Sequence, residues 1–301
     1  MFDFLEKLFC RKYRISFVVV RPLILSERPF HLFRGLFGLA VRKEVCTRPD
    51  IKNCSECSQN QDCPYTDIFE VKLPESHPLY RKYTYPPVPY IIYPDLAGKS
   101  RFLTGDTLVV ELTLIGKAIE YDTFLLRCIQ SLSEGKGTLY RKLECTGIET
   151  MVGDDRKSHL RFTTQPELAN TLKIRFESPV IFKIQEKPAM SLPFEILIMR
   201  LSERLSLLSC LYCGAELPAI RSGPKKIHIN NYIDSFYPVP VEIHDGGNRK
   251  TPSKPSLLGC VAYSGTIGEY MPLIRSGEVL HIGSYPNYGL GKYVVEDVRW
   301  V

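Results

Sequence analysis

The sequence predicts an α+β fold made of two tandem ferredoxin-like domains. The first half reads strand, helix, two strands, helix and strand, which is the βαββαβ order of that fold. A polar break, MVGDDRK at residues 151–157, follows it, and the second half repeats the order. A chain of 301 residues suits two domains, because single cores stop growing near roughly 250–300 residues. We therefore predict domains at residues 1–152 and 153–301.

The elements of the first domain follow from hydrophobic periodicity and turn residues. The β-branched run YRISFVVVRPLIL at residues 13–25 predicts a strand, and FHLFRGLFGLAVRKEV at 30–45 predicts a helix because its apolar residues recur at helical spacing. A polar, cysteine-rich insert comes next at residues 46–65. The remaining elements are strands at 86–94, 107–116 and 137–150 and a helix at 118–133.

The second domain contains the clearest helix pattern of the chain, SLPFEILIMRLSERLSLLSCLYCG at residues 191–214. Ser191 can cap this helix, Pro193 suits its first turn and Gly214 ends it. The other elements are strand-like segments at 171–185, 226–241, 257–264, 278–283 and 292–301 and a short helix at 268–275.

The composition describes an ordinary globular protein, with 44% hydrophobic and 24% charged residues. The net charge of +6 permits a polyanionic partner without demanding one. No run of 18 apolar residues predicts a membrane helix, and the opening MFDFLEKLFCRKYR does not read as a signal peptide. We expect a cytoplasmic protein, in which ten cysteines favour free thiols or a metal site over disulfides.

A glycine-rich segment near the C-terminus, GSYPNYGLGKY at residues 283–293, is too long for a simple hairpin turn. It is not a dinucleotide-binding motif, because a third glycine and a following helix are missing. Exposed backbone amides, the charge of Lys292 and tyrosine faces at Tyr285, Tyr288 and Tyr293 together suit single-stranded RNA. A long hairpin with a glycine bulge is the alternative, and composition leaves both interpretations open.

Four cysteines in the insert have the spacing of a four-thiolate zinc site: Cys46, Cys54, Cys57 and Cys63. The insert has almost no apolar residues, so something other than a core should order it. Such a metal would be structural, because protein would fill all four positions. Four free thiols on a surface loop are the alternative.

The six histidines do not form a metal-binding pattern such as HExxH. His77 is notable because Lys82 and other cations and phenols surround it in the segment ESHPLYRKYTYPP. A general base among cations suits cleavage at a phosphate, whereas a plain surface loop is the alternative. Basic residues in both halves, including Arg34, Arg249 and Lys250, could line an RNA groove.

Two long segments resemble a known protein family. The stretch from RFESPVIF through SLPFEILIMRLSERLSLLSCLYCG to LLGCVAYSGTIGEYMPLIRSGEVLHIGSYPNYGLGKY is similar to the C-terminal domain of the CRISPR repeat-processing endoribonucleases of the RAMP superfamily. FHLFRGLFGLAVRKEVC with CSECSQNQDCPYTDIFE resembles the opening domain of one branch of that family. The resemblance covers roughly residues 17–295.

The resemblance implies an endoribonuclease that cuts precursor CRISPR RNA without a catalytic cofactor. The 2′-OH of the RNA attacks the adjacent phosphate, leaving 2′,3′-cyclic phosphate and 5′-OH ends. A glycine-rich loop, here residues 283–292, contacts the RNA, with Gly283, Gly289, Gly291 and Lys292 as expected contacts.

Family members commonly place a histidine after the first helix with a lysine or tyrosine nearby. The positions here that match are His77 with Lys82, and then His31. Some relatives lack a catalytic residue, so a non-catalytic RNA-binding subunit of a CRISPR effector complex is the alternative function. Repeat RNA is the expected partner, and action alone, as a homodimer or in a larger complex stays open.

Overall fold

The computed structural model describes residues 2–25, 29–51, 53–59, 63–83, 86–134, 138–151, 159–184, 187–216, 229–242 and 253–299 of the chain. It divides into two compact units, Cys10–Ser158 and Met1–Phe9 with His159–Val301. Both units have the strand order of a ferredoxin-like fold, which confirms the predicted fold class. The predicted boundary at residue 152 lies outside the described residues and stays a prediction.

The N-terminal half of the chain contains a main antiparallel sheet, a second sheet of two short strands, and helices, of which the first, Phe4–Lys7, belongs to the other compact unit. Its elements are α1 (Phe4–Lys7), β1 (Phe9–Val19), β2 (Leu23–Ile24), α2 (Pro29–Val45), α3 (Pro64–Phe69), β3 (Tyr90–Asp95), β4 (Arg101–Phe102), β5 (Thr107–Ile115), α4 (Asp122–Gln130) and β6 (Leu143–Thr150). The main sheet has the order β3-β5-β1-β6, and β2 pairs with β4 beside it.

The core of this unit forms because α2 repeats an apolar residue every four positions. Phe33, Phe37 and Val41 lie on one side of the helix and are fully buried. Phe37 packs edge-on against Tyr90 of β3 with ring centroids 5.8 Å apart, and Phe69 of α3 lies 4.6 Å from the same ring. This aromatic cluster joins α2 and α3 to the edge of the sheet.

The C-terminal half contains β7 (Leu160–Arg161), β8 (Thr171–Phe176), β9 (Lys183–Ile184), β10 (Lys187–Pro188), α5 (Phe194–Cys213), β11 (Ile229–Asp234), β12 (Tyr237–Val241), β13 (Lys254–Leu258), β14 (Cys260–Gly265), α6 (Met271–Leu280) and β15 (Tyr293–Arg299). Its antiparallel sheet has the order β11-β14-β8-β15. Helix α1 packs on α5, where Ser209 Oγ donates a 2.7 Å hydrogen bond to the Phe4 carbonyl. In the part of the chain that the structure describes, no helix is long and apolar enough to cross a membrane.

The ends of the helices differ in part from the sequence prediction. Helix α5 begins at Phe194 with Pro193 in the N-cap position and no side-chain cap, so the predicted Ser191 cap is wrong. Gly214 ends the helix with a φ of +74°, as predicted. The sequence predicted a strand from residue 278, but α6 continues to Leu280.

The close packing of α6 on β15 positions the glycine-rich loop that joins them. A Cβ atom at Gly277 would lie 2.2 Å from the hydroxyl oxygen of Tyr293, so only glycine allows this approach. The Tyr293 hydroxyl donates a 2.5 Å hydrogen bond to the Ile274 carbonyl. Both ends of the loop are therefore held before any of its own contacts are considered.

Candidate functional site

The glycine-rich loop depends on backbone conformations that L-residues rarely adopt. Gly283, Gly289 and Gly291 have positive φ angles, and so does Tyr285, at +61°. A Cβ atom at Gly291 would lie 1.7 Å from the carbonyl oxygen of Ile282, which excludes any other residue there. The glycines are thus required by the shape of the loop itself, whatever it binds.

The amides of the loop donate largely to other protein atoms. Those of Ser284 and Gly291 donate to the carbonyl groups of Ile181 and Pro179, both at 2.9 Å. The Gly289 amide donates to the Pro286 carbonyl at 2.7 Å. The amides of these three residues are therefore not available for the predicted anion nest.

Ser178 anchors the last part of the loop, from Gly289 to Lys292. Its buried hydroxyl donates to the Gly289 carbonyl at 2.8 Å and accepts from the Lys292 amide at 2.9 Å. Sequence reasoning missed this residue, because its only signal is a polar position after a strand in RFESPVIF.

Lys292 is also engaged inside the protein. Its ammonium nitrogen lies 3.3 Å from Glu177 Oε2, and the residue is only 9% exposed. An ammonium that is buried and paired in this way presents little of its charge to a ligand. Its predicted RNA contact, like those of Gly283, Gly289 and Gly291, stays a prediction.

The three tyrosines of the segment have different environments. Tyr293 is fully buried, and burial raises the pKa of its phenol well above the usual value, so the expectation of an accessible stacking face there is wrong. Tyr288 is 8% exposed. Tyr285 is half-buried, meets Tyr288 edge-on at 5.8 Å and accepts a hydrogen bond from the Lys254 ammonium. The predicted basic contacts Arg249 and Lys250 lie outside the described residues.

Two further residues hold the start of the loop. His281, which is buried with a φ of +56°, places Nδ1 3.2 Å from the Leu290 carbonyl. The Arg204 guanidinium donates from Nε to the carbonyl groups of Leu280 and His281 at 3.0 and 3.2 Å, where it caps the end of α6. Burial lowers the pKa of Arg204 to about 9, which leaves it charged at neutral pH.

In the N-terminal unit, His77 and Lys82 lie on one turn-rich segment. His77 Nδ1 accepts a 3.2 Å hydrogen bond from the Leu79 amide, and the Leu79 carbonyl accepts from the Lys82 amide at 3.1 Å. His77 is half-buried and the Lys82 side chain is exposed, with its ammonium 5.1 Å from the centre of the Tyr83 ring. Because Nδ1 is the acceptor, a neutral His77 carries its proton on Nε2.

His31 and Arg34 lie one turn apart near the beginning of α2. Both are half-buried. The Arg34 guanidinium carbon lies 5.5 Å from the centre of the Phe69 ring, so this cation packs against α3. The structure therefore places the two histidine candidates on different elements of one unit.

The four insert cysteines do not form a metal centre. Among the described residues, no three cysteine, histidine or carboxylate side chains are arranged to hold a metal ion. Burial, and secondarily Glu70, raises the pKa of the Cys54 thiol. The Arg42 side chain hydrogen-bonds to Cys46 and lies close to Cys54 as well. The zinc site predicted at Cys46, Cys54, Cys57 and Cys63 is therefore not supported.

Family models match nearly the whole described chain. Residues 8–169 match an N-terminal domain family, AF_1859_N, and residues 174–293 match the CRISPR-associated endoribonuclease Cas6 family. No curated protein sequence matches the chain.

Several solved structures have the same fold at low sequence identity. Thermus thermophilus Cas6 (TTHB231) is 11% identical with a TM-score of 0.53, over 96% of this chain and 98% of that one. A product complex of Cas6 (TTHA0078) is 12% identical with a TM-score of 0.52, over 95% and 100%. A partial Cas6-RT-Cas1–Cas2 complex is 11% identical with a TM-score of 0.54, over 96% of this chain and 46% of that one.

Proposed function

The chain belongs to the CRISPR repeat-processing endoribonuclease family of the RAMP superfamily, and on that premise we propose that it binds the repeats of precursor CRISPR RNA and cleaves within them. The observation that carries this proposal is the extent of the Cas6 match. Residues 174–293 run from within β8 through the complete glycine-rich loop to the first residue of β15. A net charge of +6 is compatible with a polyanionic substrate.

The proposed reaction uses the nucleophile that RNA itself supplies. The 2′-OH loses its proton to a base and attacks the adjacent phosphorus, while the bond from phosphorus to the 5′-oxygen breaks. The 5′-oxygen takes a proton from an acid, which gives a 2′,3′-cyclic phosphate and a 5′-OH end. Protein side chains can move both protons and stabilise the charge of the phosphorane, so this chemistry does not require a metal ion.

The hydrogen bond at His77 limits how this residue can transfer a proton. A neutral His77 with Nδ1 accepting from Leu79 presents Nε2–H, which can donate a hydrogen bond to a phosphate oxygen. To act as a base at Nε2, or as an imidazolium acid, the ring must carry a proton on Nδ1 and release the Leu79 amide. We therefore propose His77, once released from that hydrogen bond, or His31 as the general base, with the exposed Lys82 ammonium stabilising negative charge on the phosphate.

Cleavage of repeat RNA in the presence of EDTA tests the proposed reaction. We expect unchanged cleavage with the chelator and products that carry cyclic phosphate ends. A single 2′-deoxy substitution on the 5′ side of the scissile phosphate should abolish cutting while RNA binding persists. Loss of cleavage on chelation, or continued cutting of the deoxy substrate, would overturn the mechanism.

A second function, RNA binding without cleavage, is favoured by one observation. The Nδ1 atom of His77 is already engaged by the Leu79 amide, so the arrangement does not present a ready general base at this residue. This alternative predicts that repeat RNA is bound and shifted on a gel but is recovered intact after prolonged incubation. Any specific cut within the repeat decides for the nuclease.

The proposed partner beyond RNA is a larger CRISPR assembly. One structure of the same fold is part of a Cas6-RT-Cas1–Cas2 complex. We propose that this chain can likewise act within an assembly of CRISPR-associated proteins. Co-purification from its native source, with and without ribonuclease treatment, tests whether such an association exists and whether RNA mediates it.

A further inference from the structure

Backbone hydrogen bonds join a short hairpin to the segment that holds the glycine-rich loop. Strands β12 and β13 pair in antiparallel fashion, with Val241 opposite Lys254. Leu257 of β13 and Val180 exchange hydrogen bonds of 2.9 and 2.8 Å, and Val180 belongs to the same segment, residues 178–181, that accepts the loop amides. Lys254 is therefore linked to the loop through its strand β13 and the segment 178–181.

Lys254 contacts the loop at Tyr285. Its ammonium donates to the Tyr285 hydroxyl and lies 4.5 Å from the centre of the ring, so it approaches from the hydroxyl end. The Tyr285 carbonyl accepts a 3.0 Å hydrogen bond from the Tyr288 amide, which fixes the backbone beneath the ring. Both Lys254 and Tyr285 are half-buried, so each retains accessible surface.

Lys254 and Tyr285 make a different kind of contact from the loop amides and from Lys292. The amides of Ser284, Gly289 and Gly291 donate within the protein, and Lys292 is paired with Glu177. Lys254, in contrast, donates to the Tyr285 phenol, and no carboxylate of the part of the chain that the structure describes is paired with its ammonium. The phenol accepts this bond through its oxygen, so its own hydrogen remains to donate outward, and polarisation by the ammonium makes it a stronger donor.

We propose that Lys254 and Tyr285 form a phosphate-binding pair that holds one phosphate of the RNA backbone at the glycine-rich loop. This inference rests on the proposed RNA-binding function and assigns the contact to this pair, while the glycines shape the loop. The adjacent ammonium and phenol O–H can both donate to one anionic oxygen, and a charged donor beside a neutral one suits phosphate. Arg249 and Lys250 precede Lys254 closely in the sequence, which adds positive charge to the same stretch of chain.

The salt dependence of RNA binding tests the pair. The probe is an unstructured oligouridylate, with binding followed by fluorescence anisotropy at several salt concentrations. Lys254→Met should weaken binding several-fold and reduce the salt slope by about 0.7, the value for one phosphate contact on a single strand. Tyr285→Phe should weaken binding with an unchanged slope, because it removes a neutral donor and keeps the ring.

A matched control is Lys187→Met, which removes an exposed lysine from β10 of the same unit. It should leave both affinity and slope unchanged, and thermal melts should show all variants folded. An unchanged slope for Lys254→Met, or an equal fall for Lys187→Met, overturns the pair. If Tyr285→Phe keeps its RNA affinity and only Tyr285→Leu loses it, the ring acts by base stacking. That result also contradicts the phosphate-binding pair.

Two further comparisons identify the ligand and separate the two proposals. Inorganic phosphate at constant ionic strength should leave RNA affinity unchanged; displacement in the wild type but not in Lys254→Met would assign the pair to free phosphate instead. If the wild type cleaves repeat RNA while Lys254→Met keeps its salt slope, only this inference fails. If the wild type does not bind RNA, the proposed function fails and this inference fails with it.

Discussion

Glu177 and Lys292 are joined twice, once through their side chains and once through their backbones. The Lys292 ammonium lies 3.3 Å from Glu177 Oε2, and the Glu177 amide donates a 2.9 Å hydrogen bond to the Lys292 carbonyl. The side chains are only 11% and 26% exposed. The lysine of the glycine-rich loop therefore fixes the beginning of β15 to the end of β8.

This pair predicts coupled effects on stability. Lys292→Met removes this ion pair and leaves Glu177 only its 3.5 Å contact with Arg175, and Glu177→Gln removes the carboxylate beside the buried ammonium. Each should therefore lower the free energy of unfolding by about 1–3 kcal/mol. The double variant should lose less than the sum of the two. Urea denaturation of the four proteins measures the coupling, and strict additivity would show that the pair contributes nothing.

Alanine substitutions at Gly214 and Gly291 distinguish the cost of backbone strain from the cost of a steric clash. Both glycines have positive φ angles, but a Cβ atom at Gly214 meets nothing within 4 Å, whereas at Gly291 it would lie 1.7 Å from the Ile282 carbonyl oxygen. Gly214→Ala should cost about 1 kcal/mol of strain. Gly291→Ala should cost several-fold more and should also weaken RNA binding, because the loop must open to admit the methyl group. Equal melting temperatures for the two variants would contradict this geometry.

Substitution of Ser178 should affect both the stability of the protein and the shape of the loop. Ser178→Ala removes both hydrogen bonds of the hydroxyl and should destabilise the protein by about 1–3 kcal/mol, because the buried Lys292 amide loses its acceptor. Ser178→Cys, which is nearly isosteric, should retain part of the stability. Calorimetric melts report the loss, and oligouridylate affinity should fall in the same order as stability if the hydroxyl shapes the RNA-binding loop.

The sequence predicted α5 well, because a long apolar periodicity ends at a glycine that adopts a left-handed conformation. It predicted the helix that became α6 but ended it at Arg275 instead of Leu280, because Gly277 interrupts the helical pattern. That glycine lies where the Tyr293 hydroxyl packs against the helix. Within the candidate site, the glycines of the sequence predicted the loop, but nothing in the sequence predicted that Ser178 and Lys254 contact it. Ser178 is 111 residues from Gly289, and Lys254 is 31 residues from Tyr285, so only the folded sheet brings them together.

The Asp122 carboxylate should make the stability of the folded protein depend on pH in the acidic range. The carboxylate accepts hydrogen bonds from Arg11 at 2.5 Å and Tyr13 at 2.6 Å. Burial alone would raise its pKa, but hydrogen bonds from Tyr13, Thr123 and Arg11 outweigh burial and lower the pKa. Because the folded pKa lies below the unfolded value of about 3.9, this stabilisation is present above that pH and is lost as pH falls through the folded pKa.

Asp122→Asn should therefore lower the free energy of unfolding at neutral pH by about 1.5–3 kcal/mol, the range for hydrogen bonds to a charged group. The difference between variant and wild type should shrink below about pH 4 as the wild-type carboxylate is protonated. Urea denaturation at a series of pH values measures it. A difference that stays constant down to strong acid would contradict the lowered pKa.

His77→Asn distinguishes a chemical role of this residue from a structural one. The asparagine Oδ1 atom can replace Nδ1 as the acceptor of the Leu79 amide, so the turn is kept while the imidazole proton is removed. If His77 is the general base, both His77→Asn and His77→Ala should reduce the cleavage rate by roughly 10²–10⁴-fold with RNA affinity unchanged. A normal rate in His77→Asn together with a slow His77→Ala would assign the residue to the turn alone. Normal rates in both His77 variants together with a slow His31→Ala would assign the base to His31.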